Sequence, residues 1–187
     1  MKTLLVVAHP RQSSLTWAVA DVFGAAIVAR GYAVERANLV QEGFDPTLHP
    51  PDEPDWGDPV KTYSAVVQAE MRRIERNAAT VLVFPVWWWS MPAILKGWID
   101  RVWNNGWAYG AQQYPHRRVW MIGIAGVTKD SYAKCGYDDA MRVQLEVGVL
   151  EYCGIPERRM EILYGAIEGT DYVQEILVRA RQLGAEF

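Results

Sequence analysis

Residues 3–14, with the sequence TLLVVAHPRQSS, decide the fold class of this chain. The segment begins with six apolar or β-branched residues without polar alternation, which is typical of a strand covered on both faces of a parallel sheet. Ser13 and Ser14 then offer N-cap hydroxyls for a predicted helix over residues 15–29, whose apolar side chains recur at helical spacing. Gly31 is the expected end of that helix. A buried strand, a short loop and a helix form the repeating unit of α/β proteins.

The same unit recurs along the rest of the chain. Further strands are predicted over residues 32–39, 80–84, 119–122 and 160–164, and further helices over residues 60–76, 92–102 and 139–152 and from residue 170 onward. Asp138 is the expected N-cap of the third of these helices. The proline-rich segment 46–59 can hold neither a helix nor a central strand, so it is predicted to be an extended surface loop. The alternation predicts one α/β domain over residues 1–187 with a doubly wound, five-stranded parallel sheet.

Composition and charge exclude several classes of protein. The 187 residues include 19 basic and 22 acidic side chains, and the net charge of −3 leaves no basic excess for the phosphates of nucleic acid. No segment has the ~18 uncharged apolar residues of a membrane span, and the apolar run over residues 4–8 is too short for a signal peptide. Cys135 and Cys153 match neither a disulfide framework nor a zinc site. We therefore expect a cytoplasmic protein that binds no metal.

The loop after the first predicted strand has the composition of a phosphate site. It leads into a helix N-terminus, where unpaired N–H groups and the helix dipole favour an anion. The hydroxyls of Ser13, Ser14 and Thr16, with His9 and Arg11 beside them, are suited to a phosphate. The alternative is that the serines only cap the helix. The loop has neither the G-x-G-x-x-G of a dinucleotide site nor the Gly-Lys-Ser/Thr of a nucleotide-hydrolysing P-loop.

The loop after the third predicted strand, residues 84–92 with the sequence FPVWWWSMP, carries three consecutive tryptophans. Open α/β sheets bind ligands beyond the carboxyl ends of their strands, at the point where the strand order reverses. A single tryptophan is usually a core residue, because burial of its large ring is favourable. Three in succession cannot all face inward, so at least one is free to stack against a planar ring.

These loops belong to a longer pattern that resembles a known family. The pattern consists of AHP-x-x-SS at residues 8–14, FPVWWWSMPAILKGWIDRV at residues 84–102 and NGWAYG at residues 105–110. It is similar to the signature of the NAD(P)H:quinone oxidoreductases, which include DT-diaphorase, the bacterial drug-activity modulators and the ancillary oxidoreductases of potassium-efflux systems. The resemblance implies a flavodoxin-like fold and a flavin held at a dimer interface. It also implies that NAD(P)H and a quinone-like acceptor bind in turn, which gives ping-pong hydride transfer.

The resemblance also assigns cofactor-binding residues on three loops. His9, Ser13, Ser14, Leu15 and Thr16 lie where the family holds the flavin phosphate, and Pro85, Val86, Trp87, Trp88 and Trp89 lie where backbone amides meet the N5 and O4 edge of the ring. Gly123, Ile124, Ala125 and Gly126 replace the Thr-Thr-Gly-Gly that the family often has after the fourth strand. The third loop therefore lacks hydroxyls, and its backbone N–H groups are expected to face the pyrimidine end of the ring.

Two tyrosines are the predicted catalytic residues. Longer family members place a Tyr and a His beside the N1 and O2 edge of the ring, and by spacing Tyr132 and Tyr137 take these places. A tyrosine in place of the histidine keeps a hydrogen-bond donor but loses protonation near neutral pH. The alternative for Tyr137 is a structural residue before the helix cap at Asp138. Asp100 and Arg101 are predicted to form a structural ion pair.

The cofactor and the assembly follow from the same resemblance. FMN is favoured over FAD, because no obvious segment after the last strand would hold an adenosine. A homodimer is predicted, because the exposed tryptophans 87–89, with Trp103, Trp107 and Tyr109, would form a large apolar patch on a monomer. Two alternatives to the enzyme stay open. One is a flavodoxin-type electron carrier, and the other is a flavin-binding regulatory subunit that docks on a membrane transporter for potassium efflux.

Overall fold

The computed structural model describes all residues, Met1–Phe187, and it contains the predicted alternation of strands and helices. The strands are β1 (Lys2–Val7), β2 (Ala33–Asn38), β3 (Ala79–Pro85), β4 (Arg118–Ile124) and β5 (Glu157–Leu163). The helices are α1 (Leu15–Ala29), α2 (Ala65–Glu75), α3 (Ala93–Val102), α4 (Lys129–Cys135), α5 (Tyr137–Met141) and α6 (Thr170–Glu186). A π-helix (Arg142–Glu151) continues α5.

The five strands form one parallel sheet in the order β2-β1-β3-β4-β5. After β2 the chain crosses back over β1, so the strand order reverses between β1 and β3. Val7 near the end of β1 lies beside Val83 near the end of β3. The loops that follow these two strands therefore start side by side at the carboxyl edge of the sheet, which is where α/β proteins bind ligands.

Helices cover both faces of the sheet. One core lies between the sheet and the pair α1 and α6, and a larger core lies between the other face and α2, α3 and the π-helix. Every residue of β3 is buried, as the uninterrupted apolar run TVLVF predicts for a central parallel strand. No helix has both the length and the apolar character that crossing a lipid bilayer would require.

The helix predicted over residues 139–152 differs from the observed one. Gly136 precedes α5 with a φ of 69°, so a left-handed glycine and not Asp138 starts the helix, and Asp138 lies in its first turn. From residue 142 the helix widens into a π-helix. Its buried side chains, Met141, Leu145 and Leu150, are spaced by four and then five residues, and this spacing keeps one face on the sheet only when the helix is wider than an α-helix.

The proline-rich segment was predicted as a surface loop, and this is wrong for its central turn. Residues Pro50–Asp52 form a 3₁₀ turn, and Asp52 is only 1% exposed. Its carboxylate accepts hydrogen bonds from the N–H (2.9 Å) and the hydroxyl (3.0 Å) of Ser64, and it forms an ion pair with Arg101 (2.7 Å). The buried ion pair anchors the segment to α3.

The predicted ion pair between Asp100 and Arg101 is also wrong. Side chains one residue apart on a helix point in different directions, whereas those four apart meet. Asp100 accordingly pairs with Lys96 at 2.6 Å, and Arg101 points inward to Asp52.

Close packing at Gly97 gives a test of how tightly the proline-rich segment sits on α3. A Cβ atom at Gly97 would lie 2.2 Å from the carbonyl oxygen and 2.5 Å from the Cβ of Pro46. We expect Gly97→Ala to lower the free energy of unfolding by about 1–3 kcal/mol, because a backbone carbonyl cannot move aside cheaply. Urea unfolding of Gly57→Ala is the control, since its nearest neighbour, an atom of Asp55, would be 3.4 Å away. Equal midpoints for the two variants would contradict the expectation.

Candidate active site at the carboxyl edge of the sheet

The first loop, residues 8–14, ends at the N-terminus of α1. Ser14 caps the helix: its backbone is extended, and its hydroxyl accepts the N–H of Trp17 at 3.4 Å. Ser14 therefore has a capping role. The N–H groups of Leu15 and Thr16 have no acceptor in the protein, and the helix dipole adds to their positive potential. This end of α1 can hold an anion.

His9 fixes the start of this loop. Its Nδ1 lies 3.0 Å from the backbone N–H of Arg11, and the Nε1–H of Trp17 points to its carbonyl oxygen at 3.4 Å. Partial burial, and to a lesser extent the charge of Arg11, lowers the pKa of His9. The imidazole is therefore neutral at pH 7, and it can contribute a hydrogen bond to a ligand but no charge. Ser13 is exposed beside it.

The second loop forms a two-residue turn with an unusual backbone. Trp87 and Ser90 exchange both backbone hydrogen bonds at 3.1 Å, and the residues between them, Trp88 and Trp89, have φ values of 52° and 55°. Left-handed turns of this type normally use Asn-Gly. Each tryptophan in that conformation costs roughly 1–2 kcal/mol, and such strain is concentrated at binding and catalytic sites.

The turn exposes its own N–H groups and its rings. The N–H groups of Trp88 and Trp89 have no partner, whereas the N–H of Val86 donates to the carbonyl oxygen of Ile124 at 2.8 Å. Pro85 has no N–H, and the N–H of Trp87 is used inside the turn. Of the five residues predicted on this loop, two can therefore offer backbone donors to a ligand. Trp87, Trp88 and Trp89 are 46%, 87% and 38% exposed, which confirms that the three rings do not all face inward.

The third loop leaves fewer donors than the sequence predicts. Gly123 and Ile124 belong to β4 itself, and the N–H of Ala125 donates to the carbonyl oxygen of Leu163 at 2.8 Å. The expected availability of the Ala125 amide is therefore wrong, because the pairing of β4 with β5 extends one residue past the strand. Gly126 has an unpaired N–H. The next residue, Val127, also has one, and the sequence analysis missed it.

An aromatic cluster connects the tryptophan turn to the third loop. The ring of Trp89 lies 4.3 Å from that of Tyr137, Tyr137 lies 5.8 Å from Tyr132, and Tyr132 lies 5.2 Å from Tyr164. The structure thus brings both predicted tyrosines to the same edge as the tryptophans. Tyr164 was missed, although its position at the end of the fifth strand, next to the fourth, is a signal that could have found it.

The tyrosines of this cluster are neutral phenols. Burial, followed by the neighbouring Tyr137, raises the pKa of Tyr132, which is 4% exposed. Burial raises the pKa of Tyr164 to about 12. The contact with Cys135 raises the pKa of Tyr137. Near pH 7 each of them can donate a hydrogen bond but cannot act as an anionic base.

Two of the aromatic side chains predicted for a dimer surface, Trp103 and Tyr109, differ in exposure. Trp103 is buried against Tyr114, with ring centroids 4.2 Å apart, so it cannot belong to an exposed patch. Tyr109 is half-buried and lies between two exposed rings that the sequence analysis missed, those of Trp56 (5.6 Å) and Tyr152 (5.4 Å). No group of three His, Cys, Asp or Glu side chains could hold a metal ion.

Residues 1–184 match a protein family that is described by its flavodoxin-like fold. An uncharacterized NAD(P)H oxidoreductase of Escherichia coli K12 is 35% identical over 186 residues, which cover 96% of this chain and 94% of that protein. NAD(P)H dehydrogenase (quinone) 1 of Rattus norvegicus is 25% identical over 187 residues, which cover 87% of this chain and 68% of that protein.

Among solved structures, an NAD(P)H:quinone oxidoreductase from Methanothermobacter marburgensis has a TM-score of 0.94 and 28% sequence identity. The alignment covers 100% of this chain and 95% of that chain. The predicted five-stranded, doubly wound, flavodoxin-like fold is therefore confirmed both by the sheet itself and by this similarity.

Proposed function

Because the chain belongs to the family of proteins with the flavodoxin-like fold, we propose that it is a flavin-dependent NAD(P)H:quinone oxidoreductase. One observation carries the proposal: unpaired N–H groups at the start of α1 and a strained, exposed tryptophan turn after β3 meet at the switch point of the sheet. The names of two relatives that cover most of the chain support the activity. The acceptor would be a small quinone-like molecule, and no nucleic acid partner is proposed.

The groups at the switch point fit a flavin nucleotide. The N–H groups of Leu15 and Thr16 and the hydroxyls of Ser13 and Thr16 suit a terminal phosphate at a helix N-terminus. The unpaired amides of Trp88 and Trp89 suit the acceptor atoms along one edge of a flat ring. We propose FMN as the bound form, since these groups provide for one phosphate, with FAD as the alternative.

A bound flavin would supply the hydride chemistry, taking two electrons from NAD(P)H and passing them to the acceptor. The chain holds and shields the reacting groups. The turn fixes the amides of Trp88 and Trp89 before a ligand arrives, so little reorganisation is needed when charge develops. Tyr137 and Tyr132 offer neutral hydroxyl donors behind the turn. NAD(P)H and the quinone-like acceptor would bind in turn at one exposed aromatic face, which predicts ping-pong kinetics.

The deciding experiment identifies the cofactor and the activity together. Cofactor released from the purified protein by denaturation is identified by its mass and absorbance, and NADH and NADPH oxidation is followed with benzoquinone and naphthoquinone acceptors. We expect one flavin per chain and quinone-dependent turnover. A colourless protein that takes up neither FMN nor FAD would disprove the proposal. A flavoprotein that does not oxidise NAD(P)H would instead be an electron carrier or a regulatory subunit.

Tyr132→Phe tests the catalytic role proposed for Tyr132. Phenylalanine keeps the packing against Tyr137 and Tyr164 and removes only the hydroxyl, which we propose lies beside the N1 and O2 edge of a bound flavin. We expect the rate of flavin reduction to fall up to about 100-fold, short of the full ~3–4 kcal/mol of a buried donor, with flavin affinity unchanged. Stopped-flow reduction by NAD(P)H measures the rate, and an unchanged rate would make Tyr132 a packing residue.

We also propose that the protein works as a homodimer. The exposed rings of the tryptophan turn, Trp87–Trp89, and a separate cluster of Trp56, Tyr109 and Tyr152 would leave large apolar areas exposed on a monomer. Light scattering at micromolar concentration should therefore give at least twice the mass of one chain. A monomer under these conditions would be evidence against the proposal.

The setting proposed for this activity is the cytoplasm. Cys135 and Cys153 are unpaired thiols, as expected for a protein of a reducing compartment.

A further inference from the structure

The outer side of β5 is an open sheet edge. The strand pairs only with β4. The N–H of Glu157 and the carbonyl oxygen of Leu163 bond to the β4 side, and the sides alternate along a parallel strand, so the odd-numbered residues face β4. The backbone N–H and C=O groups of Arg158, Met160 and Ile162 therefore point outward, and no other backbone group bonds to them.

Two of the usual protections of an edge strand, a proline and a bulge, are absent from β5, whereas charged side chains are present at Glu157, Arg158, Arg159 and Glu161. The strand contains no proline and pairs with β4 in unbroken register, so it has no bulge. Clefts of about 450 Å³ and 280 Å³ lie along it, and both are lined by Lys129, Glu161, Ile162 and Tyr164. Residues of α4 and α6, among them Lys129 and Glu175, line the larger cleft beside the strand. Such an edge is a template for another strand.

We propose that a second copy of this chain pairs with the edge, antiparallel, about a two-fold axis at Met160. Arg158 then faces the partner's Ile162, and the two Met160 residues face each other. All three outward-facing residues of each strand are paired, which forms about six backbone hydrogen bonds. The two sheets become one sheet through the junction.

The charges on the strand select this register. With the axis at Met160, Arg159 lies opposite the partner's Glu161, and the partner's Arg159 lies opposite Glu161. Moving the axis one residue toward the start sets Arg159 against the partner's Arg159 and Glu161 against the partner's Glu157. Moving it one residue the other way sets Glu161 against the partner's Glu161. Like charges directly opposite each other are destabilising, so of these three registers only the one with its axis at Met160 sets no like charges against each other.

The charged side chains are already held for this pairing. Arg159 and Glu161 form an ion pair at 2.7 Å, and Glu186 and Arg179 on α6 extend it at 2.7 Å and 2.9 Å. The two-fold axis would join this network to that of the partner. The edge is distinct from the tryptophan turn, so this inference does not rest on the flavin site.

A disulfide between the two copies tests the register. Met160→Cys is made in a Cys135→Ser background, because Cys135 is exposed whereas Cys153 is buried. Facing residues of a bonded antiparallel pair have Cα atoms ~5.5 Å apart, within the range that a disulfide spans. Arg158→Cys in the same background is the matched control, since its own copy would be four residues away, or ~13 Å. We expect covalent dimers of the Met160→Cys variant to form at least several-fold faster than those of the Arg158→Cys variant.

Charge exchange tests the interface without any cross-link. Arg159→Glu places like charges opposite each other twice, and we expect it to weaken association about tenfold. The double variant Arg159→Glu/Glu161→Arg restores opposite charges and should recover much of the association. Sedimentation velocity measures the association of both variants, and circular dichroism and flavin content show whether they are folded. Native mass spectrometry separates the two interfaces, because loss of this one halves the number of chains and leaves any aromatic dimer intact.

Two results would overturn the proposal. The first is that the Met160→Cys and Arg158→Cys variants cross-link equally, or that neither variant cross-links. The second is association that does not change in Arg159→Glu, including the outcome in which the edge binds only an extended peptide of another protein and the chain does not pair with itself.

Discussion

Replacing Arg101 with methionine is expected to lower the free energy of unfolding by about 3–5 kcal/mol, because it leaves the carboxylate of Asp52 buried without a counter-charge. Both side chains of the pair are almost fully buried, and the carboxylate of Asp52 has only Ser64 as a further hydrogen-bond partner. Arg101 also donates to the backbone of Asp45, so the variant loses a second tie to the proline-rich segment. Urea unfolding at pH 7 measures the difference in the free energy of unfolding between the variant and the wild type.

The control is Lys96→Met on the same helix. Lys96 and Asp100 form an exposed pair four residues apart, so its loss should change the free energy of unfolding by no more than about 0.5 kcal/mol. A double variant, Asp52→Asn with Arg101→Met, should recover part of the loss, since it removes the buried charge. Equal destabilisation by Arg101→Met and Lys96→Met would show that the buried pair does not anchor the segment.

The same pair predicts a dependence on pH. Burial by itself would raise the pKa of Asp52, but the hydrogen bonds from Arg101 and Ser64 outweigh it, and the pKa lies below its ordinary value. The stabilisation is therefore complete above the unfolded-state pKa of about 3.9 and is lost as the pH falls through the lower folded-state pKa. Without Arg101 only the hydrogen bonds from Ser64 oppose the effect of burial, so we expect the pKa of Asp52 to rise in this variant. The difference in the free energy of unfolding between Arg101→Met and the wild type should therefore become smaller as the pH falls from 7 toward 4.

Flavin affinity should fall by several kcal/mol in the triple variant Ser13→Ala, Leu15→Pro and Thr16→Val. The changes remove two hydroxyls and one unpaired N–H from the proposed phosphate site, and each hydrogen bond to a charged group contributes about 1.5–3 kcal/mol. The dissociation constant should rise about 1,000-fold or more. Ser14 is kept, because its hydroxyl caps α1. Fluorescence titration of the apoprotein with FMN and FAD measures the change.

Proline suits position 15 for structural reasons. It is tolerated at the first residue of a helix, where no intrahelical bond is lost, and Ser14 has the ψ of 160° that a residue before proline prefers. Leu15→Ala is the matched control, because it removes the same side chain and keeps the N–H. If Leu15→Ala and Leu15→Pro weaken binding equally, the amide does not contact the phosphate, and if the triple variant binds like the wild type, the phosphate lies elsewhere.

The position of the candidate site could be predicted from the sequence, whereas its detailed geometry could not. Uninterrupted apolar runs identify β1 and β3 as buried parallel strands, so the loops after them had to meet at one edge of the sheet. Which amides stay free depends on pairing beyond the strand ends. The N–H of Ala125 is used because β4 and β5 continue one residue past the strand. Trp88 and Trp89 adopt a left-handed conformation that their residue types disfavour.

The sequence by itself determined the fold class and the two loops at the carboxyl ends of the first and third strands, because the periodicity of apolar residues acts over short stretches of chain. The order of the strands in the sheet came from the tertiary structure. The tertiary structure alone decided which distant partners meet. Asp52 finds Arg101 across 49 residues, and Tyr164 joins the cluster of Tyr132 and Tyr137 from another strand. A buried charge needs a counter-charge and a buried ring needs neighbours, but neither requirement specifies where in the sequence the partner lies.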